Sequence, residues 1–210
     1  MIIRQARTNL KYSRMMDFIQ GDPKAILLVE VFGESDVELK SKLDQIEERM
    51  NRSGLGYAVT RLVSPEDQEN AWAVRKAGLG LMMNVRGGVK PLPFVEDTAV
   101  APEVLPEYVR RFDEIVRDHG TTAGYYGHAS VGCLHIRPLL DLKLMDGVDR
   151  MVSIASAVSD LVLEFGGSMS GEHGDGLARS VWNEKMFGSV IYKAFTDVKK
   201  VFDPKGIMNP

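Results

Sequence analysis

The sequence predicts an α+β fold in which a mainly antiparallel sheet carries helices on one face, with further helices towards the carboxyl end. Amphipathic helical patterns alternate with single short strands, and a glycine-rich hairpin occupies the middle of the chain. The first strand is not followed by a glycine-rich turn of the kind that binds phosphate in parallel nucleotide-binding sheets. These observations favour the antiparallel arrangement.

Composition is that of a globular protein. The chain has 210 residues, of which 44% are hydrophobic and 26% charged, enough for one domain or two small joined ones. The net charge is −3 and the basic residues are scattered, so we expect no nucleic-acid partner. The single cysteine, Cys133, excludes an intramolecular disulfide. No apolar run is long enough for a transmembrane segment or signal peptide, and we expect a cytoplasmic protein.

Three elements are predicted in the first part of the chain. Residues 25–33 are apolar and β-branched and end at a glycine, which predicts a buried strand. Ser35 and Glu38 form a capping box that predicts the start of a helix, and residues 51–56 end it. Residues 57–63 predict a second strand.

The next segment predicts a helix, a loop and a third strand. Residues 64–67 supply an N-cap, a first-turn proline and two acidic side chains for a helix that carries Arg75. This helix is expected to end at the glycines of residues 78–80 and to lead into an irregular loop at 86–93. Residues 94–100 predict the third strand.

The second half is predicted to contain a hairpin between helices. A helix at 102–120 precedes the hairpin at 121–138, and a long helix follows with its buried face at 148–165. After a glycine-rich stretch at 166–176, a short helix and a final helix are predicted at 182–202.

Three of the four histidines lie in two glycine-rich segments. On one uninterrupted strand His128 and His135 would face opposite sides, but a turn between them lets both face the same way on paired strands. With Glu172 they would supply two nitrogens and one oxygen, the ligand set of a catalytic zinc, manganese or iron site. Spacing alone equally allows two hairpin histidines bonded to nearby carbonyls.

The second segment places His173 directly after Glu172 among three glycines. Glycine lets the backbone approach a ligand closely. Since neighbouring side chains diverge in extended backbone, we expect one of the two residues to bind metal and the other to act as a general base. The alternative is a glycine-rich turn with a solvated charge pair.

Five ordered motifs cover nearly the whole chain. They are Trp72–Arg75, Phe94–Val100, Gly127-His128 with Leu134-His135, Ser170–Gly174 and Phe202–Pro210. Together they resemble the carboxy-terminal domain of the FAD-linked oxidases of the vanillyl-alcohol oxidase superfamily. This group contains D-lactate dehydrogenase, D-2-hydroxyglutarate dehydrogenase and one of the polypeptides of glycolate oxidase, and the resemblance implies a ferredoxin-like α+β fold.

The resemblance also implies how the domain is used. Residues 1–24 would link to a preceding FAD-binding domain of the same polypeptide, and residues 25–210 would bind a small 2-hydroxy acid and cover the flavin. Residues 90–97 and 127–138 further resemble longer members that carry an iron–sulfur domain downstream. Contact with a membrane is expected at most peripherally, through an electron acceptor.

Roles for individual residues follow from the same resemblance. It implies that His128, His135 and Glu172 bind a divalent metal and that His173 is the catalytic base. Substrate contacts are expected from Arg75, Lys90 and His128, and flavin contacts from Glu172, His173 and Asn209. An arginine fork suits a carboxylate, which supports the role of Arg75.

The hairpin departs from the family pattern at residues 130–133, where Ser-Val-Gly-Cys replaces Gly-Asp-Gly-Asn. This leaves D-2-hydroxyglutarate, D-lactate and glycolate open as substrates. We predict metal-assisted oxidation of a D-2-hydroxy acid to a 2-oxo acid with hydride transfer to FAD, and no activity from this chain alone. Two alternatives are a metal-dependent hydrolase or lyase using the same residues, and a non-catalytic ligand-binding module.

Overall fold

The computed structural model describes residues 1–209, which divide into two compact units. The first unit is Met1–Met82 and the second begins at Met83. Within the described chain, no helix combines the length and the apolar character that crossing a membrane requires.

The first unit contains three helices, α1 (Ile2–Thr8), α2 (Asp36–Ser53) and α3 (Pro65–Met83). Of these, α1 is not predicted from the sequence. A small apolar cluster joins α1 to α3, and its buried members are Ala6, Met16, Val74 and Leu81.

Side-chain caps begin α2 and α3, as predicted. Ser35 Oγ accepts a hydrogen bond from the Glu38 backbone N–H at 3.3 Å, and the Glu38 carboxylate accepts from Glu34 N at 2.9 Å. Ser64 Oγ accepts from Asp67 N at 3.1 Å. These contacts satisfy backbone donors that a helix N-terminus leaves unpaired.

Three predictions for this unit are wrong. Residues 25–33 and 57–63 form no strand in the part of the chain that the structure describes. An apolar sequence favours extended backbone, but a strand also needs a neighbour that completes its hydrogen-bond ladder. α3 continues through Gly78 and Gly80 to Met83, because packing of Gly78 against Ile2 of α1 outweighs the low helix propensity of glycine.

The second unit contains a four-stranded antiparallel sheet, which confirms the predicted fold class. Its strands are β1 (Lys90–Pro91), β2 (Thr98–Ala99), β3 (Ala123–His128) and β4 (Cys133–Leu140). β4 is the shared partner, since β1, β2 and β3 each pair with it.

Two details of the sheet correct the sequence prediction. The predicted strand at 94–100 is reduced to β2, because Asp97 has a φ of 73° and interrupts the extended backbone. The Asp97 N–H still donates to Leu134 O at 2.8 Å, so the segment stays attached to β4. β1 lies within the segment predicted to be irregular.

The predicted hairpin is confirmed. β3 and β4 are joined by a single 3₁₀ turn, Ala129–Val131, followed by Gly132 in left-handed conformation with a φ of 67°. A Cβ atom at Gly132 would lie 1.8 Å from Val100 O, so both the conformation and the close approach require glycine. The register pairs Tyr126 with His135.

Helices cover one face of β4. α4 (Leu105–Asp118) and α5 (Met145–Glu164) pack against it, and α6 (Gly176–Arg179) and α7 (Asn183–Phe202) follow. The main core contains Phe94, Val95, Val100, Tyr108, Phe112, Val116, Ile136, Leu140, Ile154, Ala155, Val158, Leu161, Val162 and Met169. Because side chains alternate along a strand, the odd-numbered residues of β4 project to the other face.

Candidate active site

Two histidines meet at the end of the hairpin. His128 ends β3 and is exposed, whereas His135 lies in β4 and is buried. Their rings are 5.5 Å apart between centroids and nearly perpendicular, at 89°. The turn therefore places the two imidazoles side by side, as the hairpin pattern predicts.

The glycine-rich loop before α6 brings two more side chains to the same place. The His173 ring stacks on the His135 ring at 4.9 Å and an interplanar angle of 10°. The Glu172 carboxylate faces three imidazole Nε2 atoms, those of His135 at 3.4 Å, His128 at 3.7 Å and His173 at 3.8 Å. A single carboxylate is thus surrounded by three ring nitrogens.

Asp97 fixes the loop that carries Glu172 and His173. Its carboxylate accepts hydrogen bonds from Glu172 N at 3.0 and 3.1 Å, from His173 N at 2.7 Å and from Ser170 Oγ at 2.8 Å. Burial opposes the ionisation of Asp97, but the bonds from His173 N, Ser170 Oγ and Glu172 N outweigh it and lower its pKa to about 2. Asp97 is therefore an anion that holds the loop backbone.

The two carboxylates of this cluster have different partners and therefore different roles. Donor atoms of Asp97, His135, Glu172 and His173 lie within 4.8 Å of one another. The Asp97 oxygens already accept three backbone and hydroxyl donors, so this residue orients the loop. Glu172 is the carboxylate presented to the imidazoles, and it is exposed to solvent at the same time.

The donor set fits a divalent metal. Two ligands bonded to a metal at about 2.1 Å and at a tetrahedral angle lie about 3.4 Å apart. The separation between His135 Nε2 and Glu172 Oε2 is 3.4 Å, longer than a hydrogen bond and suited to a shared ion.

Burial also favours the form of His135 that binds metal. Burial is the main cause of a pKa below the ordinary histidine value, although the carboxylates of Glu96 and Glu172 oppose it. A lowered pKa favours the neutral imidazole, and only neutral imidazole coordinates a metal.

A second layer of charged residues lies beneath His173. The Glu96 carboxylate contacts His173 Nδ1 through Oε1 at 3.1 Å and accepts from Arg137 through Oε2 at 2.7 Å. The Arg179 guanidinium donates to Glu96 O at 2.6 Å and also to Gly174 O. Glu96, Arg137 and Arg179 are all buried.

The sequence prediction missed this layer and the role of Asp97. The available signal was the acidic pair Glu96-Asp97 inside the apolar run 94–100, where side chains are expected to be buried. Arg137, two positions after His135, shares its face of β4 and is a second buried charge in an otherwise apolar strand.

Lys90 is not brought into the histidine cluster. Lys90 lies in β1 and pairs with Leu140 of β4. Leu140 is five positions along β4 from His135, which corresponds to about 16 Å at the usual rise of a strand. The Lys90 Nζ atom donates to Val85 O at 2.5 Å.

The remaining predicted residues lie in other surroundings. Arg75 is in α3 of the first unit and is partly buried there. Asn209 is exposed and has a φ of 48°. Cys133 lies at the start of β4 with its Sγ 3.4 Å from Asp97 Oδ1, and burial raises its pKa to about 12. Such a thiol is a poor nucleophile.

Comparison with known proteins gives a consistent result. The family model described as FAD linked oxidases, C-terminal domain, matches residues 3–210. D-2-hydroxyglutarate dehydrogenase of Pseudomonas putida is 33% identical over 100% of the chain and 21% of its own length. The enzyme of the same name from Haemophilus influenzae is 39% identical over 68% of the chain and 14% of its own length.

A more distant relative has a different name. D-lactate dehydrogenase of Archaeoglobus fulgidus is 28% identical over 91% of the chain and 39% of its own length. The chain therefore spans well under half the length of these relatives.

Proposed function

Because the chain belongs to the family of the C-terminal domain of FAD-linked oxidases, we propose that it is the substrate-binding and catalytic part of a 2-hydroxy-acid dehydrogenase. The proposed reaction oxidises a D-2-hydroxy acid to a 2-oxo acid. Convergence of three imidazole nitrogens on the Glu172 carboxylate is the observation that carries this proposal. The FAD would be held mainly by an FAD-binding domain of the same polypeptide.

His128, His135 and Glu172 are the proposed metal ligands. Two imidazole nitrogens and one carboxylate oxygen suit zinc, manganese or iron and leave positions open for substrate. When bound, the metal supplies a Lewis acid that lowers the pKa of the substrate hydroxyl. Buried His135 would anchor the site, and exposed His128 would lie where substrate enters.

His173 is the proposed general base. Its Nε2 atom lies 3.8 Å from Glu172 Oε2, so a substrate hydroxyl held at the proposed metal site would lie beside it. As the hydroxyl O–H bond breaks, the proton passes to Nε2, the oxygen electron pair forms the carbonyl bond, and the α-hydrogen leaves with its electron pair. A bound FAD would supply the acceptor for that hydride. Glu172, His173 and Asn209 are also proposed to contact the flavin.

D-2-hydroxyglutarate is the first substrate to test. The two relatives described above with more than 30% identity are named D-2-hydroxyglutarate dehydrogenases, whereas the D-lactate dehydrogenase is 28% identical. Arg75 is the proposed partner of a substrate carboxylate, because a guanidinium binds a carboxylate with two parallel hydrogen bonds. Lys90 is a proposed substrate contact only for a ligand that reaches towards β1.

The test is reduction of the bound flavin under anaerobic conditions by the full-length protein. D-2-hydroxyglutarate, D-lactate and glycolate are supplied separately, and flavin bleaching is followed by absorbance. We expect one of them to bleach the flavin, a chelator to suppress the bleaching, and added zinc or manganese to restore it. The L enantiomer of the active acid is the matched control and is expected to react much more slowly.

Two outcomes would contradict the proposal. Failure of every 2-hydroxy acid to bleach the flavin of a metal-loaded protein would exclude the reaction. Bleaching that a chelator leaves unchanged, with no metal found in the protein by elemental analysis, would exclude the role of the metal while retaining the oxidation.

A further inference from the structure

The Glu96 carboxylate is shared between two different side chains. Oε1 contacts His173 Nδ1 at 3.1 Å, and Oε2 accepts from the Arg137 guanidinium at 2.7 Å. Only 9% of the Glu96 side chain is exposed, compared with 46% for His173. A buried carboxylate therefore holds one nitrogen of a ring that is itself partly exposed to solvent.

This contact sets the hydrogen on the His173 ring. A carboxylate oxygen accepts hydrogen bonds, so the ring must donate from Nδ1. In the neutral ring, the lone pair then lies on Nε2, which is the nitrogen that faces Glu172. We propose that Glu96 is a positioning residue that fixes both the orientation and the tautomer of His173, so that Nε2 can accept the substrate proton. This inference rests on the proposed function of His173.

Two arginines prevent Glu96 from leaving this position. Arg137 occupies the second carboxylate oxygen, so Glu96 is kept from turning towards the histidine cluster. Arg179 donates to the Glu96 backbone oxygen at 2.6 Å and to Gly174 O, and so ties Glu96 to the loop that carries His173. Because breaking a buried ion pair is strongly unfavourable, the network holds a single arrangement.

Glu96→Gln in the full-length, FAD-loaded protein tests the inference. Glutamine has the same shape, and its oxygen continues to accept from Arg137. Its NH₂ group then faces His173 Nδ1 and donates to it, which moves the ring proton to Nε2 and blocks the lone pair. We expect the rate constant of flavin reduction at saturating substrate to fall by about 10²-fold or more, as for loss of a general base. Substrate affinity and metal content are expected to stay near wild type.

A double-mutant cycle separates positioning from a structural role. Flavin reduction is measured for the wild type, Glu96→Gln, His173→Ala and the double variant. If Glu96 acts through His173, the Glu96→Gln change lowers the rate in the wild type but changes it by less than about twofold in the His173→Ala background. An equal loss in both backgrounds, or no loss in the wild type, would overturn the inference.

Failure of the proposed function gives a different result. Near-normal flavin reduction by His173→Ala would reject His173 as the base, whatever Glu96→Gln does. A slow His173→Ala variant with a normal Glu96→Gln variant would reject only the positioning role.

Two further variants complete the design. Glu164→Gln is the matched control, because Glu164 pairs with Arg111 at 2.7 Å on the surface and is expected to react as the wild type. If Glu96→Gln does not accumulate as folded protein, Glu96→Asp enters the same cycle. It keeps the charge and the acceptor but withdraws them from His173. A loss of flavin-reduction rate that occurs only when His173 is present, and not in the His173→Ala variant, supports the inference.

Discussion

The two faces of β4 are both buried but serve different purposes. Ile136 and Leu140 project into the aliphatic and aromatic core beneath α4 and α5. His135 and Arg137, one position before and one after Ile136, project to the opposite face and contact carboxylates and imidazoles. One strand thus separates the interior that stabilises the fold from the groups proposed to carry out the chemistry.

The difference lies in what each face needs from its neighbours. The apolar face needs only close packing, which many combinations of side chains supply. The polar face needs a defined hydrogen-bond partner for each buried charge, and Arg137 finds one in Glu96. A substitution in the apolar face should therefore act mainly on stability, and one at a proposed metal ligand mainly on chemistry.

Ile136→Ala is expected to produce the largest change in stability. Ile136 is fully buried, so the substitution removes apolar contacts and leaves a cavity, which lowers the free energy of unfolding by about 4 kcal/mol. Urea unfolding of the 210-residue chain measures this loss. The folded fraction is expected to bind divalent metal with unchanged stoichiometry, and loss of metal from folded chains would show that the two faces are not separable.

His135→Ala is expected to have the converse effect. Removal of the buried ligand should weaken binding of zinc or manganese by more than about 100-fold, since even outer-shell partners contribute about 10- to 100-fold. Isothermal titration calorimetry of the 210-residue chain provides the measurement. His119→Ala is the matched control, because His119 bonds Ile115 O and Ser153 Oγ away from the cluster. Equal affinities for the two variants would remove His135 from the site.

The apolar face could largely be predicted from the sequence. Helical periodicity predicted α4 and α5, which cover this face, and a capping box predicted α2 in the first unit, because both signals depend on residues three or four positions apart. The strands predicted at 25–33 and 57–63 are wrong, since pairing depends on a partner that local sequence does not identify.

The polar face could be predicted only in part. Glycine-rich surroundings pointed to His128, His135, Glu172 and His173, and these four side chains do converge. The role of Asp97 depends on a left-handed backbone and on donors more than 70 positions away in sequence, and neither leaves a local pattern. Buried ion pairs resemble ordinary surface charges until the fold is known.

Asp97→Asn tests how the polar face is held together. Asparagine tolerates the left-handed backbone but loses the charge that accepts the loop donors. The pKa of Asp97 is about 2 in the folded chain and about 3.9 in the unfolded chain. At pH values above about 3.9, ionised Asp97 therefore contributes about 2–3 kcal/mol to the free energy of unfolding. This contribution is lost as the pH falls through about 2, because the carboxylate is then protonated in both states.

The difference between wild type and Asp97→Asn in urea unfolding is therefore expected to be full at about pH 7 and to shrink below about pH 4. Asp149→Asn, an exposed aspartate of α5, is the control that should show little difference at any pH. A difference between wild type and Asp97→Asn that does not depend on pH would mean that the lost shape of the side chain, not its charge, destabilises the chain.

Cys133 should give the smallest effect, although it lies on the same face as His135. Its burial raises the pKa of the thiol to about 12, so at about pH 8 nearly all of it is protonated and shielded. Iodoacetamide is expected to label the native chain far more slowly than the urea-unfolded chain, as followed by mass spectrometry. Metal bound at His135 should change this rate little. Rapid labelling of the native chain would show that the polar face opens as far as β4. The ordered cluster on that face would then be a minor conformation in solution.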